Sequence, residues 1–125
     1  LNIETSLMAS RLIEQVAIIG EKRKYLSALI VPNFGELEAW AKKNGFDGAD
    51  RAALIGNDAV KKIFADEVAR CTADLGQVEQ VRRFTLLPAE WSQETGELTP
   101  TLKTKRRVID QKFAAQIEAM YPPEQ

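Results

Sequence analysis

The sequence predicts a small α+β domain in which a β-hairpin and about three strands in all are packed by helices. Three observations carry that expectation. Two apolar, β-branched runs flank a short connection that begins at Gly20. Four other stretches place apolar residues at helical spacing. The 125 residues, 45% of them hydrophobic, suffice for one core, with no repeat or linker to divide them.

Ile3, Leu7 and Met8 predict a short opening helix. Residues 14–19 and 25–31 are the two hairpin strands, closed by Gly20 and Pro32. Both runs are almost continuously apolar, so at least one strand is expected to be covered on both faces. Asn33 reads as the N-cap of the next helix, with Glu36 spaced to reach back to the Asn33 backbone N–H. Phe34, Leu37, Trp40 and Ala41 form its apolar stripe, and Asn44-Gly45 stops it. Residues 46–56 read as a loop around a short helical turn. A further helix starts near Asn57 with the stripe Val60, Phe64, Val68, Cys71 and Leu75, and Gly76 marks its far end. Residues 81–87 are the third strand, closed by Pro88. Residues 89–98 read as an exposed polar loop. The last helix is expected over 104–121, with Ile109, Phe113, Ile117 and Met120 buried and its cations facing water, and Pro122-Pro123 ends it.

Composition excludes several classes of function. A net charge of −1 gives no global attraction to nucleic acid, so none is expected as a partner. No apolar run approaches the ~20 residues a membrane-crossing helix needs, and no signal-peptide pattern opens the chain. The single cysteine, Cys71, permits no internal disulfide and suits a reducing cytoplasm, the expected location. It lies on an apolar helix face, as a packed thiol does. With no histidine in the chain, Ser-His-Asp and Cys-His catalysis are unavailable, and no metal site is expected. Trp40 and Trp91 read as packing residues. The chain starts on Leu1-Asn2-Ile3-Glu4, as if mid-chain, so the expectation is a piece carrying one half of an active site.

The segment Gly96-Glu97-Leu98-Thr99-Pro100-Thr101-Leu102-Lys103-Thr104-Lys105-Arg106-Arg107 is the most unusual stretch. Over residues 103–112, Lys103, Lys105, Arg106, Arg107 and Lys112 oppose only Asp110, a local excess of four positive charges. A lysine on a loop just before a helix is a mobile point charge with three donors, suited to a phosphate. The helix N-terminus beside it adds positive partial charge. On composition alone the same residues read more readily as a solvated basic face.

The order of residues goes further than their charge. Gly-Glu-Leu-Thr-Pro-Thr-Leu-Lys-x-Lys-Arg resembles the last signature motif of the adenylate-forming synthetases, in the version of the long-chain fatty acyl-CoA ligases. The wider superfamily carries Pro-x-Thr-x-Ser-Gly-Lys, so Thr101-Leu102-Lys103 stands here in place of Ser-Gly-Lys. Residues 86–91 and the hairpin runs 13–20 and 25–32 are similar to the same subgroup, and Asn2-Ile3-Glu4 resembles the point just after its hinge. The resemblance implies that residues 1–125 are the C-terminal lid domain of such an enzyme, without its N-terminal domain and hinge. It implies ATP and CoA as substrates with a long-chain fatty acid, and Mg²⁺ held on the ATP phosphates rather than by this domain. It implies the N-terminal adenylation domain as partner, and peripheral membrane association of the whole enzyme is compatible with it. By the same resemblance Lys103 is the catalytic lysine of the adenylation step, with Lys105 as runner-up. The hairpin tip Lys22, Arg23 and Lys24, together with Arg82 and Arg83, are candidates for CoA phosphates. Such a piece by itself is expected to have no ligase activity. Two alternatives stand beside this: the lid of another adenylating ligase, and a non-catalytic interaction module of the same fold.

Overall fold

A computed structural model describes residues 3–46, 48–76 and 80–122 of the chain. Leu1, Asn2 and Pro123, on which parts of the sequence reading fall, lie outside the described residues. The elements run α1 (Ile3–Leu7), β1 (Ile13–Ile19), β2 (Leu26–Pro32), α2 (Phe34–Lys43), α3 (Arg51–Gly56), α4 (Asp58–Cys71), β3 (Val81–Leu86), α5 (Arg106–Lys112) and α6 (Ala114–Ala119).

The sheet has the order β1-β2-β3. β1 and β2 pair antiparallel as the expected hairpin, with Val16 opposite Ile30 and Ile18 opposite Ala28. β3 pairs parallel to β2, Ala28 opposite Phe84. A parallel pair needs a long crossover, and α2, α3 and α4 supply it. The central strand β2 is buried along nearly its whole length, Ser27 to Val31 being inaccessible. This is why its sequence is a continuous apolar run rather than an alternating one. Around it the core gathers Leu7, Leu37, Leu54, Val60, Phe64, Val68 and Ile109.

Local sequence accounts for most helix ends. The Asn33 side chain accepts the Glu36 N–H at 3.2 Å, and Asp50 and Asn57 cap α3 and α4 in the same way. The reciprocal half of the Asn33 cap is not made. Its backbone N–H donates instead to Leu12 O at 2.7 Å, because the chain entering α2 runs against the start of β1. α4 ends at Cys71, five residues before Gly76. There Thr72 is buried, its hydroxyl bonding Val68 O at 2.7 Å and Gln80 Oε1 at 3.0 Å, and the Gln80 amide bonds Thr72 O and Leu75 O. These bonds satisfy the last carbonyls without a glycine. Cys71 is half-buried, and burial pushes its thiol pKa up.

Two larger expectations are corrected. The final helix is two helices, α5 and α6, meeting at Phe113 (φ −109°, ψ 24°). Backbone bonds from Phe113 to Ile109 and from Ile117 to Phe113 continue across the junction, so this is a kink. At this junction the Phe113 ring packs against Trp91, centroids 6.2 Å apart. Residues 89–98 are not a wholly exposed loop either, since Trp91, Glu97 and Leu98 are buried. Among the described residues no helix is long and apolar enough to cross a membrane.

Candidate functional site

Lys103 sits on a short turn that closes a miniature antiparallel ribbon. Leu98 pairs with Thr104 as an isolated bridge. Thr99 N–H donates to Lys103 O at 2.8 Å, and Leu102 N–H donates to Thr99 O at 2.8 Å. The Thr99 hydroxyl accepts the Lys103 N–H at 3.1 Å and meets the Thr101 hydroxyl at 3.1 Å. Threonine is favoured at such a position because its side chain replaces a missing backbone partner in a tight turn. Pro100 suits the turn for its fixed φ.

Leu102 carries the most telling backbone in the ribbon. It has φ 64°, a left-handed conformation that costs a side-chain-bearing residue about 1–2 kcal/mol. Its side chain is 66% exposed, so packing does not compensate. The following Lys103 is exposed, and no described side chain pairs with its ammonium. Lys105 is also exposed, but it stands at the N-cap of α5, with its backbone N–H bonded to Glu97 O at 2.7 Å. The two candidate lysines therefore occupy different places: Lys103 the turn, Lys105 the ribbon's return leg.

The ribbon is anchored through Glu97, whose side chain is 2% exposed. Its carboxylate accepts from Lys112 Nζ on α5, from the Thr95 hydroxyl and, at 3.4 Å, from Ser92 N–H. Burial pushes this carboxyl up, but the hydrogen bonds from Lys112, Thr95 and the backbone outweigh it and hold its pKa below the usual carboxylate range. A carboxyl with a depressed folded-state pKa adds stability above its unfolded value of about 4.3, and this is lost as pH falls through the folded value. Urea midpoints measured from neutral to acid pH should therefore fall less steeply at the acid end in Glu97→Gln than in the parent. Identical acid limbs would show that Glu97 does not contribute in this way.

Neighbouring segments are fastened to the open edge of β1 by side chains that imitate a further strand. The Gln15 amide donates to Trp91 O at 3.0 Å, and its carbonyl accepts Trp91 N–H at 2.6 Å. Further along, Ile18 N–H donates to Glu4 at 3.0 Å while Ile18 O accepts from Arg106. Arg106 and Glu4 are themselves 3.4 Å apart. An edge strand's unpaired groups are thereby satisfied, and α1, β1 and α5 are tied together. The basic cluster is consequently less positive than its spacing suggested. Arg106 and Lys112 are ion-paired, and Lys103, Lys105 and Arg107 are the exposed remainder.

The hairpin tip forms a second cationic area. Lys22 adopts φ 60° in the connection. Arg23 pairs with Glu118 and lies over the Tyr121 ring, 4.8 Å from its centroid, and the hydrogen bond to Glu118 raises its pKa further. Tyr121 stacks on Tyr25 at 4.7 Å, and its hydroxyl joins Ser27, Ile19 O and Tyr25 O. A cleft of about 530 Å³ brings together Lys22, Arg23, Lys24, Arg83 and the two tyrosines. Arg82 lines a different, shallower depression beside Arg83. A larger cleft of about 680 Å³ runs from Lys22 and Arg23 along Gly20 to Arg106, joining the hairpin to the helix behind Lys103.

Trp40 stacks on Phe46 at 5.6 Å and Trp91 is buried, the packing roles expected of both. Glu97, Gln15 and the Glu4–Arg106 pair were not singled out from sequence. A tryptophan inside a polar stretch, and an acid beside Leu98, are the signals that such a loop is packed rather than free. Among the described residues no three His, Cys, Asp or Glu side chains cluster to hold a metal ion.

Comparison with known proteins adds identity to this geometry. The family model described as AMP-binding enzyme C-terminal domain matches residues 1–125. A long-chain-fatty-acid–CoA ligase of Mycobacterium tuberculosis, FadD15, is 36% identical over 124 residues, covering 98% of this chain and 20% of that protein. Human long-chain-fatty-acid–CoA ligase 1 is 38% identical over 122 residues, covering 95% of this chain and 17% of its own length. The chain thus spans about one fifth of the curated relatives it matches. Among solved structures, the adenylation domain of a carboxylate reductase from Mycobacterium chelonae superposes with a TM-score of 0.76 at 25% identity, covering 95% of this chain and 17% of that one. The A-PCP didomain of a carboxylic acid reductase from Segniliparus rugosus, solved in complex with AMP, gives 0.74 at 26% identity, covering 95% and 15%.

Proposed function

The chain belongs to the AMP-binding enzyme C-terminal domain family, and from that premise we propose that it is the mobile lid of a long-chain fatty acyl-CoA synthetase, with Lys103 as its catalytic residue. In this reading residues 1–125 work with an N-terminal adenylation domain that holds ATP and the fatty acid. A carboxylate oxygen of the fatty acid attacks the α-phosphorus of ATP. An O–P bond forms, the bond to pyrophosphate breaks, and acyl-adenylate results. The Lys103 ammonium bridges the carboxylate and the α-phosphate and stabilises the charge that develops between them. The lid then turns, the CoA thiol attacks the acyl carbonyl, and AMP leaves as the thioester forms.

The observation that carries this reading is the turn itself. Leu102 keeps a left-handed backbone, the conformation glycine adopts without cost, at the position where the wider superfamily has Gly. That correspondence supports Lys103 over Lys105 as the lysine of the motif. An exposed ammonium on a pinned ribbon also has the freedom to enter a site supplied from outside. For the second step, Lys22, Arg23, Lys24 and Arg83 around the hairpin cleft offer cations to CoA phosphates, with Arg82 in the separate depression beside Arg83. Arg23 is already committed to Glu118, so Lys22 at the tip is a stronger candidate than Arg23. A lid for a different adenylating enzyme is the second reading. The ligase relatives are more similar in sequence, at 36–38%, than the carboxylic acid reductases at 25–26%, which favours the first.

The test is thioester formation from a long-chain fatty acid, ATP and CoA. The longer chain containing this domain and its adenylation partner should produce acyl-CoA, AMP and pyrophosphate. The 125-residue chain alone should produce none. Turnover by the chain alone would overturn the assignment of the domain as half of a site.

A further inference from the structure

Glu97 is the one charged side chain buried among the described residues, and no step of the proposed reaction uses it. Replacing a buried ion pair by apolar side chains is often neutral or stabilising, so stability alone is a weak reason to keep one. Its partners suggest another. Lys112 comes from α5, while Thr95 and Ser92 come from the loop entering the ribbon. Lys112 also donates to Thr95 O at 3.3 Å. The Glu97 backbone oxygen accepts Lys105 N–H from the ribbon's return leg. Carboxylate and carbonyl of one residue therefore join the entering loop, the return leg and the helix. The Leu98–Thr104 bridge and the Lys103 turn follow directly.

We propose that Glu97 is a positioning residue for Lys103, its buried carboxylate setting the height and direction at which the ribbon presents the ammonium. This rests on the reading of Lys103 given above. A buried acid held from three segments has one geometry in which all its bonds are made. An uncharged amide of the same shape must offer N–H groups where acceptors were needed. Glu97→Gln therefore leaves the fold and releases the ribbon.

The experiment has two readouts. In the chain, amide exchange of Leu102, Lys103 and Lys105 should rise about tenfold or more in Glu97→Gln, with Leu29 and Ile30 in β2 unchanged, as local rather than global opening requires. In the whole enzyme, Glu97→Gln and, separately, Lys112→Met should lower kcat for acyl-adenylate formation about ten- to hundredfold. KM for ATP and fatty acid should stay within about twofold, and thioester formation from supplied acyl-adenylate should be unaltered. A purely structural role would lower both half-reactions together and would expose β2 to exchange, and that result overturns the proposal. Parent-like ribbon exchange and parent-like adenylation in both variants, beside an inactive Lys103→Ala control, would overturn it as well. Should Lys103→Ala itself adenylate normally, the reading of Lys103 fails and the positioning role falls with it.

Discussion

Lys103→Ala should slow acyl-adenylate formation by the whole enzyme about 10²–10³-fold, the usual cost of removing one preorganised electrostatic donor from a transition state. The size follows from where the charge sits. Among described residues no acid neutralises the ammonium, and the turn beneath it is closed by three hydrogen bonds, so the cation arrives with little reorganisation. With the proposed role confined to the first step, thioester formation from supplied acyl-adenylate should stay within a few-fold of the parent. Lys103→Arg restores charge but not shape. A planar guanidinium replaces a compact point charge, so it should recover only part of the rate. The measurement is single-turnover formation of each product. Equal losses in the two half-reactions would contradict a role confined to adenylation.

Phe64→Ala should cost about 3–5 kcal/mol of folding stability, a large share of the 5–15 kcal/mol typical of a domain. Phe64 is inaccessible, on the α4 face that also buries Val60 and Val68. Neighbouring helices cannot close around the missing ring without moving the sheet, so a cavity term adds to the lost burial. Urea denaturation should show a lower midpoint at unchanged slope. A loss below about 1 kcal/mol would mean that the site collapses freely, contrary to close packing. Phe64 takes no part in the Lys103 ribbon or the hairpin cleft. The folded fraction of the variant should therefore keep the parent's adenylation rate, separating stability from chemistry.

How much was legible in the sequence depended on the range over which each feature is determined. The strands were readable because β-branched runs bounded by Gly20, Pro32 and Pro88 are local signals. The cap at Asn33 and the helix start near Asn57 were readable for the same reason. Lys103 was singled out by the order of its neighbours, and the left-handed backbone of Leu102 before it was not foreseen. What escaped lies between distant residues. Gln15 meets Trp91 across 76 positions and Arg106 meets Glu4 across 102, and no periodicity encodes such pairs. The kink at Phe113 likewise left no local signal, since the apolar spacing of 109, 113 and 117 fits an unbroken helix. Glu97 was counted with a polar loop because its partner Lys112 is 15 residues away and reads on its own as a solvated cation.

The central claim is that the turn, and not the return leg of the ribbon, delivers the catalytic charge. ATP–pyrophosphate exchange dependent on fatty acid, measured in the whole enzyme with Lys103→Ala and Lys105→Ala side by side, tests it most directly. The account predicts exchange lost in Lys103→Ala and retained within a few-fold in Lys105→Ala. Exchange surviving in Lys103→Ala while Lys105→Ala abolishes it would contradict the account.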